Sequence, residues 1–165
     1  MIDRLIIGND HGGVEAKRAI AAHLAARGLR VTNAGSDTGE IVRYPRYARL
    51  VAGAVARGEY PRGILICSTG IGMSIAANKV RGVRAALCTS VHMAAMTRQH
   101  NDSNVLCLGG KITPADEMLA IVDAWLANDY IGGRHEISLG LIRDLEREVG
   151  LGVPAPGDRA DGGAP

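Results

Sequence analysis

Five short aliphatic runs recur along the chain, each followed by a stretch with helical spacing, and this alternation limits the possible folds more than any other feature. The runs are "RLIIG" (4–8), "LRVTN" (29–33), "GILIC" (63–67), "VRAALC" (83–88) and "NVLCLG" (104–109). Strands that alternate with helices pair in parallel, because a parallel neighbour can be reached only by a crossover. The intervening stretches read as helices over 14–27, 46–57, 72–79, 91–99 and 115–127. Ile20 and Leu24 lie four apart in the first, which stops at Gly28, and Pro114 opens the last. Right-handed crossovers put helices on both faces of the sheet. The expected fold is therefore α/β: a three-layer α/β/α sandwich on a Rossmann-like five-stranded parallel sheet. A further helix, about 136–149, falls outside the alternation and is free to pack on a partner subunit. At 165 residues, the chain suits a single domain over 1–150. Residues 151–165, rich in Gly, Pro, Ala and Asp, read as a disordered tail.

Composition narrows the partners. With no Phe, one Trp and four Tyr, the core must come from Ala, Val, Ile and Leu, which suits strands buried on both faces. Nineteen basic and seventeen acidic residues give a net charge of +2, spread without a dense basic block, so nucleic acid is not the expected partner. No apolar run approaches the roughly 20 residues of a membrane-spanning helix. The opening "MIDRLIIGND" lacks a basic segment followed by a long apolar one, so a cytoplasmic location is expected. Cys67, Cys88 and Cys107 are odd in number and lie within or at the ends of strand-like runs, which favours reduced thiols. They show neither CxxC spacing nor a nearby histidine pair, so no metal site is expected.

Reactive groups collect beside three strands. "GNDHGG" follows the first and carries Asp10 and His11. "STGIG" follows Cys67 at the end of the third. "RQHNDSN" precedes the fifth and carries His100 and Asn101. The reading places all three on one edge of the sheet, where the longer loop 34–45 also emerges. Gly70 and Gly72 allow a tight turn that presents backbone N–H groups at a helix start, where the dipole favours anions. The same field favours a thiolate at Cys67. A base beside an anion cradle suits proton abstraction next to a carbonyl, since the developing enediolate oxygen needs donors. Simpler readings exist for each residue: a buried apolar Cys67, an Asp10 that caps a helix, a His100 that serves as a helix C-terminal cation, glycines kept for packing. The spacing is neither GxGxxG after the first strand nor GxxxxGK[ST], which disfavours a nicotinamide enzyme or a nucleotide site.

These motifs resemble those of the sugar-phosphate isomerases that comprise ribose-5-phosphate isomerase B and the galactose-6-phosphate isomerase subunits. "GNDHGG" is similar to the first family motif, "GILICSTGIGMSIAANKVRGVRAALC" to the central one, "RQHNDSNVLCLGGK" to the third and "GGRH" to the fourth. The likeness spans about residues 4–149. It implies an aldose–ketose isomerisation through an enediolate, with no cofactor, metal or nucleotide, and ribose 5-phosphate and ribulose 5-phosphate as the default pair. By position, Cys67 is the base, Thr69 assists, and Asp10 with His100 opens the sugar ring. Substrate would meet Ser68, the amides of Gly70, Ile71 and Gly72, Asn101 and Tyr44, with His11 and Arg134 on the phosphate. The resemblance also implies a homodimer or tetramer with active sites across the dimer interface. Four positions depart from the pattern. Ser138 stands where a second phosphate arginine is usual, and Lys111 where arginine is common. Arg43 and Arg46 replace acidic residues, and Ser68 replaces a glycine. The alternatives are an isomerase of a tetrose or hexose phosphate or of free allose, and a sugar-phosphate-binding homologue without turnover.

Overall fold

The computed structural model describes residues 2–152. Five strands form one sheet: β1 (Arg4–Asn9), β2 (Arg30–Asn33), β3 (Gly63–Cys67), β4 (Ala85–Leu87) and β5 (Val105–Gly109). Their order is β2-β1-β3-β5-β4, and every pairing is parallel. Six helices join or follow them: α1 (Val14–Ala26), α2 (Tyr44–Ala56), α3 (Ile71–Ala77), α4 (Val91–Asn101), α5 (Ala115–Ala127) and α6 (His135–Glu148).

The continuous apolar runs of β3 and β5 bury side chains on both faces. On one face Ile64, Ile66, Leu106 and Leu108 pack with Ile20, Leu24, Ile121 and Trp125 of α1 and α5. On the other, Leu65, Val105 and Cys107 pack with Val51 and Ala52 of α2 and Met73 and Ala77 of α3. The three-layer sandwich expected from the alternation is thus the observed fold.

Three local differences have physical causes. Helix α2 starts at Tyr44, two residues early, because Pro45 sits in its first turn, where its missing N–H costs nothing. Strand β4 is three residues rather than six: it has one neighbour, and the backbone N–H of Arg84 is taken by the Asn104 side chain at 2.8 Å. Helix α6 does not wait for a partner to bury its inner side. Leu139 is buried, and Glu146 accepts a 2.9 Å bond from the Gly82 N–H. Its outer side still exposes Ile137, Leu141 and Leu145, spaced four apart. Of the tail read as disordered, Leu151 and Gly152 are hydrogen-bonded to Glu146 and Arg81, and residues 153–165 lie outside the described residues. Among the described residues, no helix is long and apolar enough to cross a membrane.

Because all strands point the same way, each helix that follows a strand starts at the carboxyl edge of the sheet and ends at the amino edge. This rule decides which reactive groups can meet.

Candidate active site

At the carboxyl edge β1 delivers Asp10 and β3 delivers Cys67. Asp10 is buried, and its Oδ1 accepts the Gly12 N–H at 2.8 Å, which closes a 3-10 turn over His11–Gly13. The simple capping role read from the sequence is therefore present. The same bond fixes the carboxylate at the strand end. The His11 ring is held from the other side, with Nδ1 3.3 Å from both the N–H and the carbonyl oxygen of Val42.

Cys67 is 5% exposed, and its Sγ accepts the Gly70 N–H at 3.1 Å. A turn that brings this amide back onto the sulfur needs Gly70 at φ +77°. Any side chain there would adopt the left-handed region, and a Cβ would stand 2.6 Å from Leu87 Cδ1 and 2.9 Å from the Leu108 carbonyl carbon. Gly70→Ala is accordingly expected to cost about 1–2 kcal/mol in backbone strain alone, with further loss from the clash and a fall in turnover. Thermal unfolding and kcat measured on one preparation check both effects.

Thr69 Oγ1 accepts the Ile71 N–H at 3.3 Å, so the hydroxyl stays at the mouth of α3. The Tyr44 ring lies against Gly72, where a Cβ would come within 2.9 Å of its Cζ. Ser68 is not strained, since Asp102 is the non-glycine residue with positive φ among those described. Its carbonyl accepts the Lys111 N–H at 3.0 Å, while the Cys67 carbonyl accepts that of Gly110 at 2.8 Å. The end of β5 is thereby laced to the Cys67 turn, and Lys111 stands on the same edge as His11. Residues 110–111 and His11 line a cleft of about 370 Å³ with Arg18 and Asp37.

The other two cysteines have no comparable donor among the described bonds. Burial pushes the Cys88 thiol up to about 11. Cys107 is raised further, by burial and then by its neighbours Cys67 and Cys88. Both are neutral thiols at ordinary pH.

His100 and Asn101 lie elsewhere, which corrects the reading that put all the reactive groups on one edge. They form the last turn of α4, which ends at the amino edge. The Asn101 carbonyl accepts from Arg84 Nε at 3.0 Å, just before β4, and the Asn104 carbonyl accepts the Gly63 N–H at 2.9 Å, at the start of β3. A five-residue strand rising about 3.3 Å per residue separates the edges by about 13 Å. Arg134 and Ser138 share the amino edge, at and just after the start of α6. The rings of His100 and His135 stack there with centroids 4.3 Å apart and planes 10° apart. Burial, then His100 and Arg134, hold the His135 ring below the usual histidine range. Beside them, Asn101, Thr97, Ala86, Ile142 and Leu145 line a mostly apolar groove of about 400 Å³.

The sequence contained the means to avoid this error, since a residue just before a strand must lie at that strand's amino end. His135 could be found only through its ring contact, and Val42 only through its bonds to His11.

A family model described as ribose/galactose isomerase matches residues 5–142. The chain is 46% identical over 144 residues to ribose-5-phosphate isomerase B of Escherichia coli strain K12, across 87% of this chain and 97% of that one. Among solved structures, ribose-5-phosphate isomerase B of Clostridium thermocellum matches with a TM-score of 0.87 at 49% identity, over 88% of this chain and 99% of that one. The enzyme of the same name from Mycoplasma genitalium, solved with bound ribulose-5-phosphate, gives 0.85 at 39% identity, over 88% and 97%. Fold, motifs and matches together define an aldose–ketose isomerase acting on a sugar phosphate. The chain belongs to the ribose/galactose isomerase family.

Proposed function

We propose that this enzyme interconverts ribose 5-phosphate and ribulose 5-phosphate, with Cys67 as the base. The observation that carries the role of Cys67 is the 3.1 Å bond from the Gly70 N–H to its sulfur, at the mouth of α3. That bond and the start of α3 fix the sulfur beside the backbone amides of the turn. In the open-chain aldose the thiolate takes the proton on C2, the C2–H electrons form the C1–C2 double bond, and the carbonyl electrons move onto O1. The Gly72 amide and the Thr69 hydroxyl, at the mouth of α3, are placed to meet that charge, while the Gly70 and Ile71 amides hold the Cys67 sulfur and Thr69 Oγ1. Return of the same proton from the thiol to C1, with transfer of the O2 proton to O1, leaves the ketose. The relatives of known name support the pentose phosphate, as does the Mycoplasma genitalium enzyme with its bound ribulose-5-phosphate.

Ring opening needs an acid–base partner for Asp10, and His11 on the same edge is held by Val42 and assigned to the phosphate. His100 of the partner subunit fills this role in a homodimer whose sites lie across the interface, with Asn101 of the partner subunit at the enediolate oxygens and Arg134 of the partner subunit at the phosphate. Two features support that arrangement. Ile71 and Ile75 stand half-exposed on α3 beside the Cys67 turn. The amino edge offers an apolar groove next to Asn101 of matching chemistry. The phosphate then meets His11 and Lys111 from one subunit and Arg134 from the other, and Arg43, exposed between Val42 and Tyr44, adds the charge that Ser138 lacks.

The test is a comparison of kcat/KM for ribose 5-phosphate, a four-carbon phosphate, a six-carbon phosphate and free allose. The highest value is expected for ribose 5-phosphate. A higher value for the six-carbon phosphate or for allose overturns the assignment. Arg43→Ala should raise KM for the phosphorylated sugar and leave free allose little changed.

A further inference from the structure

Lys17 is buried on the inner side of α1 with Val14, Ile20 and Leu24, at 4% exposure. An ammonium removed from water is costly unless its donors are satisfied. Here all three are: Nζ lies 3.1 Å from Asn33 Oδ1, 2.6 Å from the Ser36 carbonyl oxygen and 2.5 Å from Asp37 Oδ1. The acceptors sit at the end of β2 and in the first residues of the loop that leads to α2. Lys17 bonds lower the Asp37 carboxyl below its ordinary range, with Asn33 adding to the effect. The pair therefore persists above the usual carboxylate range and is lost only as pH falls through the lowered value.

The same loop segment is tied to the strand that carries the reactive groups. The Ser36 carbonyl also accepts from Asn9 Nδ2 at 3.1 Å, and the Ser36 N–H donates to the Asn9 carbonyl at 3.0 Å. Asn9 Nδ2 reaches the Asp10 carbonyl at 2.7 Å as well. From Asp37 to Ile41 the loop is exposed; Arg18, paired with Glu15 at 2.8 Å, also donates to the Asp37 carbonyl at 3.3 Å. Past this stretch, Val42 grips the His11 ring and Tyr44 lies on Gly72. A loop exposed in its middle is held in place by its ends, and Lys17 makes the charged contact at its base.

We infer that Lys17 is a positioning residue: it anchors the loop over 34–43 so that Val42 orients His11 and Tyr44 closes over the amide cradle. The inference rests on the proposed function only in taking that edge as the sugar site. Lys17→Met keeps the aliphatic stem and removes the donors. In the full-length enzyme KM for ribose 5-phosphate should rise about tenfold while kcat stays within about threefold, because substrate positioning and not the proton transfer is disturbed. Hydrogen exchange at the Ser36 and Val42 amides should accelerate by about tenfold or more, with β3 and β5 unchanged, as local opening requires. If Lys17→Met does not fold, Asp37→Asn removes the charged partner alone, and faster exchange at the same two amides is expected. Unchanged exchange at Ser36 and Val42, or a uniform rise that includes β3 and β5, overturns the inference, as does equal loss in kcat and 1/KM. Exchange is read without sugar, so a wild-type enzyme inactive on ribose 5-phosphate would sink the assigned reaction and leave the loop result to decide on Lys17.

Discussion

Replacing Cys67 by alanine is expected to lower kcat by about 10²- to 10⁴-fold, the range that a positioned general base supplies, while the sugar phosphate still binds. The argument is geometric. The thiol sits at the end of β3 with one backbone donor on its sulfur and the first turn of α3 directly behind it. Alanine removes the proposed proton acceptor but leaves Gly70 and its φ, Thr69 and the helix start in place, so the proposed cradle for the enediolate survives. Binding of ribose 5-phosphate by calorimetry should therefore change far less than turnover. Cys88→Ala provides the control: that thiol is held neutral by burial on the opposite face of the sheet from Cys67. It should keep near-normal turnover. Retention of a tenth or more of wild-type kcat in Cys67→Ala would remove this sulfur from the proton transfer.

Much of the fold was legible because parallel strands buried on both faces have an unmistakable composition. Runs such as "GILIC" and "NVLCLG", alternating with helices in a chain that has only five of them, suit an open parallel sheet covered on both faces. The ends of elements were harder. Helix α2 begins at Tyr44 because a proline in the first turn is favourable, and β4 shortens because side chains of Asn78 and Asn104 bond the backbone of Ala85 and Arg84 in place of a second strand. The places of Asp10, Cys67, Thr69 and Gly70 at the carboxyl edge were readable because each lies at the end of a strand or just after it. Ser68 could be weighed only once its backbone was seen to avoid positive φ. Lys17 has no sequence signal of its own, since its acceptors lie 16 to 20 residues away. Tertiary contacts at that separation leave no local signal.

The placement of His100 has the widest consequence. It lies a strand's length from Cys67 within one chain, so the proposed ring-opening role places it in the site of a second copy. The two halves of the site are then separable by mutation. On the proposed function, Cys67→Ala removes the base of a chain's own site, and His100→Asn removes the ring-opening group that the chain lends to its partner. Each homodimer should be nearly inactive on the ring form of ribose 5-phosphate, with a loss of about 10²-fold or more for each missing acid–base group.

The decisive measurement mixes the two inactive variants in equal amounts under conditions that allow subunits to exchange. In a heterodimer one site combines both defects, while the other combines an intact Cys67 with an intact His100 of the partner subunit. Random pairing makes half of the dimers mixed, each with one sound site, so activity should rise to about one quarter of the wild-type value, as an isologous two-fold assembly requires. No recovery after verified subunit exchange would contradict a site shared between two copies.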